Sequence, residues 1–578
     1  MVSPEKITKQ GLELMEALSK FITNVTDFVW GGTWGDKTIL PVGPVVVLLL
    51  GAGLYFMIRL KFRPLRRFGP ALAEVWAGRK GDGDKSKITA WQALSTALSG
   101  QVGTGNLAGV ATAITLGGAG AIFWMWVTAI FGMALAFAES SLAIKYRETD
   151  KYGRVNGGPM YYIKNGLGKS WGWLAVLFCI GTLFSATATG GMVQANSITQ
   201  SVQETSRSFS LPCQLAQPAV KGIRIASTST ANVTQMNKAD LTKVSACDLQ
   251  TVDTDTLVIM LDFVKDSDEL VNIATVEANS DNTDIVVANW LIGLIIAALV
   301  FAVIIGGIQS IGNVAGKVVP LMAVAYIGIA FVVVLMNLSE VPQAFGAIFK
   351  GAFGWDAATG GFTGAVLAIA IRAGVDRGLF SNEAGQGSAP IAHAAAQTKN
   401  PTTQGEIAMI GVFIDTILIC TMTALVILCV QGDFVNELGE PVKYAYQAAG
   451  LEATAITNAA YANAIPGGGW VVTIAIAFFA FTTIIGWSYY AEQAVTYLVG
   501  EWATKLIRYI WVGVIFIGAL TQVGFIWMVG GLANASMAVP NLIAILALSG
   551  VVLAMHKKNG DPDTEDGDSI MLKGEGVE

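Results

Sequence analysis

SGQVGTGNLAG, residues 99–109, lies in the middle of an apolar segment long enough to span a membrane. Each of its four glycines weakens an α-helix by roughly 1 kcal/mol relative to alanine and permits backbone angles that other residues avoid. In hydrocarbon, an interrupted backbone is tolerated only where protein, an ion or a polar ligand satisfies the freed N–H and C=O groups. The stretch therefore predicts a broken helix at membrane depth, an arrangement typical of the solute site of secondary transporters.

The composition of the whole chain agrees with a membrane environment. Of its 578 residues, 53% are hydrophobic and only 13% are charged, and the mean hydropathy is +0.56. An ordinary soluble protein carries about 25% charged residues. The sequence therefore predicts an all-α polytopic membrane protein, and we expect the lipid bilayer and no nucleic acid as its surroundings.

Motifs for catalysis are missing from the sequence. It contains no nucleophile–base arrangement and no phosphate-binding loop of the Gly-x-x-x-x-Gly-Lys type. The two histidines, His393 and His556, have no second histidine or cysteine at ligand spacing. We therefore expect no enzyme, no transition metal and no cofactor, and an ion gradient as the energy source for any uphill transport.

Eleven membrane helices are predicted when about 20 residues are allowed per span. Two of them, 88–116 and 362–396, are interrupted by glycine-rich polar sequence. The complete set is 39–60, 88–116, 118–145, 171–199, 286–306, 314–337, 362–396, 406–430, 467–498, 505–529 and 533–555.

The two interrupted spans lie five helices apart, so they cross the membrane in opposite directions. This spacing predicts two inverted five-helix repeats, residues 88–337 and 362–555, with the solute between them. The span 39–60 is then an extra helix outside the repeats. Residues 1–38 are expected to form an interfacial segment, with an amphipathic helix from Gly11 to Trp30.

Basic residues favour one orientation of the chain. Nine lysines and arginines lie between Arg59 and Lys87, after the first span, and alternate loops further along are basic as well. The positive-inside rule makes these loops cytoplasmic. The N-terminus is then outside, and the tail 556–578 is inside.

One polar segment, residues 202–284, is too long for a simple connection and lies outside on this topology. Its alternating run Thr256–Leu261 suggests a small, strand-containing extracytoplasmic domain. A disulfide between Cys213 and Cys247 would help so small a unit to hold together. A disordered loop is the alternative.

The first interruption can serve both charges of an amino acid and a cation. Free N–H groups near Thr104, Gly105 and Asn106 could bind a carboxylate, and free carbonyls near Ser99 and Val102 could face an ion. The alternative is that the glycines merely permit close helix packing.

Neighbouring spans carry further candidates. Thr482 and Thr483 are adjacent hydroxyls that could bind Na⁺, although threonine often bonds to its own helix. Trp487 lies one turn beyond Thr483 and could wall a small substrate, or be an ordinary core aromatic. Gln194 could bind a substrate charge or another helix.

Charged residues inside the spans also call for a role. Four of them are interpreted as an inner-gate network at the inner half of the seventh span, with a local ion pair one helical turn apart as the competing interpretation: Arg372, Asp376, Arg377 and Glu383. Three others could exchange a proton, although paired structural groups are more common at such positions: Glu139, Asp415 and Glu492.

Four motifs carry a resemblance to a known family. They are Gly103–Ala111 (GTGNLAGVA), Phe123–Trp126 (FWMW), Gly157–Tyr162 (GGPMYY) and, above all, Arg377–Pro390 (RGLFSNEAGQGSAP). On these stretches the chain resembles the alanine or glycine:cation symporters, often called sodium:alanine symporters. Two departures are the alanine of Gly118-Ala119-Gly120, where the family commonly has proline, and the large 202–284 insertion.

The resemblance implies a leucine-transporter-like fold in a prokaryotic inner membrane. It further implies uptake of L-alanine, D-alanine or glycine, coupled usually to Na⁺ and sometimes to H⁺. By motif, it places a substrate site at Gly103, Thr104, Gly105, Asn106, Gln194 and Trp487. It places a cation site at Ser99, Val102, Thr482 and Thr483.

Two rival functions stay open from the sequence. One is proton coupling through Glu139, Asp415 or Glu492. The other is a nutrient sensor, in which the 202–284 segment binds a partner while the membrane core only detects an amino acid.

Overall fold

The computed structural model describes most of the membrane part of the chain. Described are residues 19–35, 37–81, 87–151, 153–210, 220–227, 234–236, 257–264, 270–277, 283–354, 363–398, 400–436, 438, 440–451, 453–521 and 524–560. Two compact units are present, one of residues 1–198 and 293–578 and the other of residues 199–292.

Helices dominate the first unit. From its start to the middle of the chain they are α1 Pro44–Arg59, α2 Arg63–Arg66, α3 Phe68–Ala77, α4 Ala90–Gln101, α5 Ala108–Gly117, α6 Gly120–Lys145, α7 Pro159–Tyr162, α8 Gly172–Ser185, α9 Val193–Ser210, α10 Thr283–Ile304 and α11 Gly307–Met336.

The second half of the chain continues in the same way. Its helices are α12 Val341–Ala352, α13 Thr363–Asn382, α14 Ala389–Ala394, α15 Pro401–Val412, α16 Thr421–Cys429, α17 Ala453–Ala464, α18 Gly468–Val499, α19 Ala503–Leu520, α20 Gly524–Ala547 and α21 Ser549–Gly560. Helices α12 and α17 were expected to be loops.

Seven helices in the described part of the chain are long and apolar enough to cross a membrane: Gly120–Lys145, Lys169–Gln203, Gly307–Met336, Pro401–Cys429, Gly468–Val499, Ala503–Leu520 and Val529–Ala547. Shorter apolar helices cover Pro44–Arg59, Ala108–Gly117 and Asn289–Ile304. The chain is therefore a predominantly helical, polytopic membrane protein. The predicted number of eleven spans stays a prediction.

The first interruption forms where the glycines predict it. Helix α4 begins at a capping box, in which Thr89 Oγ1 accepts from the N–H of Gln92 while the Gln92 side chain accepts from the N–H of Thr89. It ends at Gln101, Val102 is extended, and one 3₁₀ turn covers Thr104–Asn106 before α5 begins.

The second interruption separates α13 from α14. Glu383 has a φ of +56°, and Gly385 and Gly387 each have a φ of +86°. Left-handed angles suit glycine and cost free energy for a residue with a Cβ. The backbone of Glu383 is therefore held in an unfavourable conformation by the surrounding structure, a feature that tends to occur at functional positions.

Two further helical spans widen into π-helix, at Ala186–Met192 between α8 and α9 and at Phe413–Cys420 between α15 and α16. Such widening frequently marks functional positions. The first of these segments brings Thr189 and Gly190 toward the interrupted helices, and the second carries the buried Asp415.

The two interrupted helices meet each other. The side-chain N–H of Gln101 donates to the carbonyl of Asn382 over 2.8 Å, and Ile88 forms a parallel backbone bridge with Ala396. Both are therefore part of one packed core. The segments 88–116 and 362–396 are interrupted and adjacent, as predicted.

Short β-hairpins lie in loops of the first unit. They pair β1 Thr33–Trp34 with β2 Lys37–Thr38, β3 Glu148–Thr149 with β4 Val155–Asn156, and β9 Phe434–Val435 with β10 Pro441–Val442. Residues 19–31 are helical. This helix contacts the core, since the Trp30 indole donates to the carbonyl of Gly531 over 3.1 Å.

The second unit contains a four-stranded antiparallel sheet in the order β6, β5, β7, β8. Its strands are β5 Val220–Ser227, β6 Thr234–Met236, β7 Leu257–Val264 and β8 Leu270–Glu277. Strand β7 coincides with most of the alternating run noted in the sequence. Cys213 and Cys247 lie outside the described residues, so their pairing stays a prediction.

Candidate functional site

A small cavity lies between the two interruptions. Its volume is about 10 Å³, and it is lined by Gly100, Gln101, Gly103, Gly105, Thr189, Gln194, Phe380, Glu383, Gln386, Thr483, Trp487 and Asn534. Four of the six residues predicted to bind substrate are among them: Gly103, Gly105, Gln194 and Trp487. The cavity therefore brings together residues that lie almost 400 positions apart in the sequence.

Backbone N–H groups of the first interruption bond to side-chain oxygens. The N–H of Thr104 donates to Gln194 Oε1 over 3.2 Å, and the N–H of Gly103 donates to Asn106 Oδ1 over 2.9 Å. Amide oxygens thus occupy the place that was predicted for a carboxylate. The side-chain N–H of Gln194 in turn donates to the carbonyl of Thr189 over 3.0 Å.

Asn106 faces away from this cavity. Its side-chain N–H group donates to Asp415 Oδ1 over 2.6 Å and to Ser381 Oγ over 3.0 Å. Because both ends of the amide are used, Asn106 shapes the interruption from behind. The structure therefore brings Asn106 to the predicted region but does not place it on the cavity wall.

Close packing keeps the cavity small. A Cβ added at Gly190 would lie 2.4 Å from Cγ of Trp487, and one added at Gly105 would lie 3.0 Å from Cδ1 of Phe380. Glycine at these positions lets both rings approach the backbone. Trp487 and Phe380 therefore close two sides of the cavity, and any larger residue at either glycine would displace them.

Among the described residues that line the cavity, Glu383 is the acidic one. Its side chain is buried, Ser388 Oγ donates to Glu383 Oε2 over 2.6 Å, and the Trp487 indole interacts with the same carboxylate. In the described part of the chain, no lysine, arginine or histidine side chain lines this cavity. A buried carboxylate with only neutral donors is costly unless a cation or a proton neutralises it.

Several buried polar atoms beside the cavity have no partner among the described residues. They are Gln101 Oε1, Thr104 Oγ1 and the hydroxyl of Tyr490. Buried polar groups are rarely left without a hydrogen bond, and an exception calls for an explanation such as a bound ligand. These atoms are therefore ready to contact a polar solute.

The predicted cation residues fall into one cluster of oxygens around Thr483. Thr483 Oγ1 donates to the carbonyl of Val102 over 3.2 Å and to that of Phe479 over 2.9 Å. Thr482 Oγ1 lies 3.0 Å from the same Phe479 carbonyl. Both threonines thus bond to their own helix, which was the competing interpretation, and Thr482 Oγ1 also lies 3.6 Å from Met322 Sδ. Thr483 additionally reaches the first interruption, so the cation site stays a prediction.

Ser99 stands beside this cluster and is bonded locally. Its hydroxyl donates to the carbonyl of Thr96 over 2.7 Å, and a Cβ added at Gly486 would lie 2.5 Å from Ser99 Oγ. The helix carrying Ser99 thus packs directly on the helix that carries both threonines. Phe479, whose carbonyl joins the two threonines, was missed in the sequence because a carbonyl gives no residue-specific signal.

The predicted inner gate is not assembled. Arg372 pairs with Asp27 over 2.9 Å, and Arg377 lies 3.7 Å from its neighbour Asp376. All three residues of α13 lie before the interruption, whereas the bridge to Ile88 lies after it. On the predicted topology these three residues would lie in the outer half of the span, and Glu383 lines the cavity, so the inner-gate role of the four residues stays a prediction.

The three proton-exchange candidates lie in different surroundings. Glu492 forms a close ion pair with Arg508 over 2.7 Å, which is the structural role. Glu139 accepts a hydrogen bond from Asn541 and is fully buried. Asp415 accepts from Asn106, Ser381 and Thr416, and all three donors are neutral.

Cavity residues without a predicted role are Gln101, Thr189, Phe380, Gln386 and Asn534. Gln386 and Phe380 belong to the stretch RGLFSNEAGQGSAP, so their motif was noticed but not their place in it. Thr189 faces the cavity from the π-helical segment. Its role could have been found only from the extra residue that widens this helix.

Comparisons with known proteins agree on one family. The family model described as "Sodium:alanine symporter family" matches residues 15–237 and 256–569. "Sodium/alanine symporter AgcS" of Methanococcus maripaludis is 37% identical over 541 residues, which cover 93% of this chain and 96% of the relative.

Relatives with other names are similar over comparable lengths. "Probable sodium/glutamine symporter GlnT" of Bacillus subtilis is 34% identical, covering 89% of this chain and 87% of the relative. "Amino-acid carrier protein AlsT" of the same organism is 31% identical, covering 94% and 92%. The names of these relatives thus differ in the amino acid and agree on carriage of amino acids.

Proposed function

The chain belongs to the sodium:alanine symporter family, and on that premise we propose that it takes up small neutral amino acids, alanine or glycine, together with Na⁺. Its family and relatives are transporters and not enzymes. The observation that carries the proposal is the cavity between the two interruptions, with N–H groups on one side and Glu383 on the other.

A zwitterion fits the polarity of this cavity. The N–H groups of Gly103 and Thr104 lie at the first interruption, where the partial positive charge of α5 favours an anion. The Glu383 carboxylate lies at the second interruption and would accept hydrogen bonds from an ammonium group. In this proposal Gln194 gives up its hydrogen bond from Thr104 when the substrate carboxylate arrives.

Cavity size supports a small side chain. The cavity volume is only about 10 Å³, and Trp487 and Phe380 are packed against glycines, so the walls must move apart even for a small substrate and would have to move further for a longer one. A longer substrate such as glutamine would require these rings to move, at a cost typical of overpacking. We therefore propose alanine or glycine over glutamine.

Sodium would bind beside the substrate. The carbonyls of Val102 and Phe479 and the hydroxyls of Thr482 and Thr483 form the proposed ligand set, with Ser99 on the adjoining helix. Since Val102 belongs to the interruption that also holds the substrate, cation binding would stabilise the substrate-binding backbone. Coupling follows because each solute then favours the binding of the other.

The proposal includes the predicted architecture. The chain is taken as a leucine-transporter-like fold in the inner membrane of a prokaryote, with two inverted repeats, residues 88–337 and 362–555, that rock about the cavity. Residues 202–284 lie outside the cell and the tail 556–578 lies in the cytoplasm.

Uptake of radiolabelled alanine by the purified chain in proteoliposomes tests this function. We expect uptake that requires an inward Na⁺ gradient and that excess glycine inhibits more strongly than excess glutamine. Equal inhibition by glutamine would overturn the assignment of a small substrate.

Proton coupling is a second candidate because Asp415 is fully buried with neutral hydrogen-bond donors. A protonatable carboxylate in such a place can carry charge across a transport cycle. The same proteoliposomes distinguish the two ions. Uptake driven by a pH step and indifferent to Na⁺ would favour the proton, and Asp415→Asn would then abolish its pH dependence.

A further inference from the structure

A strongly basic cavity lies far from the substrate site, at the end of α1. Three structural elements form it: the end of α1 with the residue that follows, the short helix α2 and the final helix α21. Arg59, Lys61, Arg66 and Lys557 contribute four positive charges, and its volume is about 850 Å³. Among the described residues that line it, none is acidic.

A second basic cavity of the molecule differs in this respect. It is lined by Lys151, Arg154 and Lys505 together with Glu501. Lys151 lies 3.5 Å from Glu501, and Arg154 forms an ion pair with Asp150 over 2.7 Å. Two of its three positive charges therefore pair with carboxylates, whereas no carboxylate lines the described part of the cavity at the end of α1.

The walls of the α1 cavity are held by a buried network. Arg63 donates to Nδ1 of His556 over 2.9 Å and forms an ion pair with Glu406 over 2.6 Å, and all three side chains are buried. Tyr55 also bonds to Ser549 over 3.3 Å. Helix α21 is thereby fixed against α1 and α2, so the four charges are presented by a rigid frame.

The pKa of His556, at the wall of this cavity, is lowered. Burial, and then the positive charges of Arg63, Arg66 and Lys61, lower the pKa of His556 to about 4. The imidazole is therefore neutral near pH 7 and accepts the hydrogen bond from Arg63. Burial is the largest cause of this shift, and the positive charges near the cavity add to it.

Apolar side chains continue the cavity toward the lateral surface of the protein. Ile58, Phe62 and Leu65 are between 50% and 54% exposed, and Leu553 lies within the cavity itself. Exposed apolar side chains at the end of a membrane helix contact lipid chains in a bilayer. The basic cavity therefore opens where lipid headgroups meet lipid chains.

We propose that this cavity binds the phosphate headgroup of an anionic phospholipid, whose acyl chains lie along Ile58 and Phe62. Arg59 and Arg66 present planar forks that suit phosphate oxygens, and Lys61 and Lys557 add compact charges. Such basic pockets between membrane helices are a recognised mode of headgroup binding. Binding would fasten the final helix to the first one.

The experiment measures lipid retention and heat stability on the full-length chain purified in detergent. Native mass spectrometry counts bound phosphatidylglycerol against phosphatidylcholine, and thermal unfolding is followed with each lipid and with soluble glycerol 3-phosphate. The variants are Arg59→Gln, Arg66→Gln, Lys557→Gln and the triple variant. Lys505→Gln, in the second basic cavity, is the matched control.

We expect selective retention of phosphatidylglycerol and a higher unfolding temperature with it. Each neutralised charge should weaken this binding about fivefold, and the control should not change it. Equal unfolding temperatures of all variants in phosphatidylcholine would show that they remain folded. A variant with a lower unfolding temperature is replaced by Arg59→Lys, which should retain binding.

Three results would overturn the proposal. They are equal retention of both lipids by the full-length chain, phosphatidylglycerol retention that the triple variant keeps, and stabilisation by glycerol 3-phosphate as strong as that by the lipid. The first would favour the acidic tail 561–578 as the occupant, because it carries the complementary charge. The last would make the cavity a site for soluble anions.

Discussion

The two helix interruptions differ in the chemical groups that they carry. The first, between α4 and α5, is made of glycines and presents backbone N–H groups that amide oxygens of Gln194 and Asn106 occupy. The second, between α13 and α14, carries the buried carboxylate of Glu383 on a left-handed backbone.

The difference matches the two charges of an amino acid. An interruption rich in N–H donors suits a carboxylate, and an interruption with a carboxylate suits an ammonium group. Because both face one small cavity, a single small zwitterion would contact both at once. The two interruptions therefore differ in charge although each one breaks a helix at a glycine-containing stretch.

Removing the charge of the second interruption should have the largest effect. We expect Glu383→Gln to lower alanine uptake at least about 100-fold, since an ammonium group would lose its buried counter-charge. Initial rates in proteoliposomes check this, with the exposed loop variant Glu440→Gln as the control. Uptake near the wild-type rate would break the comparison, because the second interruption would then hold no charge of the substrate.

Filling the first interruption should come next. In Gly103→Ala, the new Cβ would lie 2.6 Å from Thr483 Oγ1 and 3.2 Å from Gln194 Oε1, so both partners must shift. We expect uptake to fall about 30-fold, in line with the cost of overpacking. Gly109→Ala is the matched control, because no atom lies within 4 Å of its added Cβ. Equal uptake by the two variants would contradict the role of Gly103.

Removing one oxygen from the proposed cation cluster should act on Na⁺ binding, through the contact of Thr483 with the Val102 carbonyl. We expect Thr483→Val to raise the Na⁺ concentration for half-maximal uptake about tenfold, as one hydrogen-bonding group is lost. Thr128→Val is the control, since the Thr128 hydroxyl donates to a carbonyl of its own helix, that of Trp124. An unchanged Na⁺ dependence would separate the cation site from the first interruption.

Enlarging Gly190, which packs against Trp487 in the cavity wall, should change the selectivity between amino acids. Gly190→Ala would place a Cβ 2.4 Å from Trp487 Cγ and drive the indole toward the substrate. We expect the ratio of alanine to glycine uptake to fall about fivefold, because the methyl group of alanine loses its space. Competition between the two labelled amino acids measures this ratio. A constant ratio would place the side chain of the substrate elsewhere.

Breaking the charge pair beside the second interruption should have the smallest effect. Arg372 and Asp27 are each 39% exposed, and exposed pairs contribute about 1 kcal/mol or less. We expect Arg372→Gln to change uptake about twofold or less, in the same proteoliposomes. A collapse of uptake would return Arg372 to the role of a gate.

Sequence reasoning located the interruptions well because glycine has a local physical signature. The stretch SGQVGTGNLAG cannot continue a helix cheaply, and the structure breaks it between Gln101 and Ala108. The contacts of Gln194, Thr483 and Trp487 with this region followed from helical spacing and the family motifs, and the structure places all three at the cavity.

Depth and facing were harder to predict. Glu383 was grouped with Arg372 because both lie in one apolar span. The structure interrupts this span, so that Arg372 lies within α13 and Glu383 lies at the interruption. Asn106 was expected to bind substrate and instead bonds to Asp415, a residue 309 positions away. Such partners depend on how distant helices pack, and no local pattern in the sequence encodes that packing.

The central claim is that one amino acid contacts both interruptions at the same time. An experimental structure of the chain with alanine and Na⁺ bound tests it most directly. We predict the α-carboxylate at the N–H groups of Gly103 and Thr104, released from Gln194, and the ammonium group within hydrogen-bonding distance of Glu383. Alanine bound outside this cavity, or oriented with its carboxylate toward Glu383, would contradict the account.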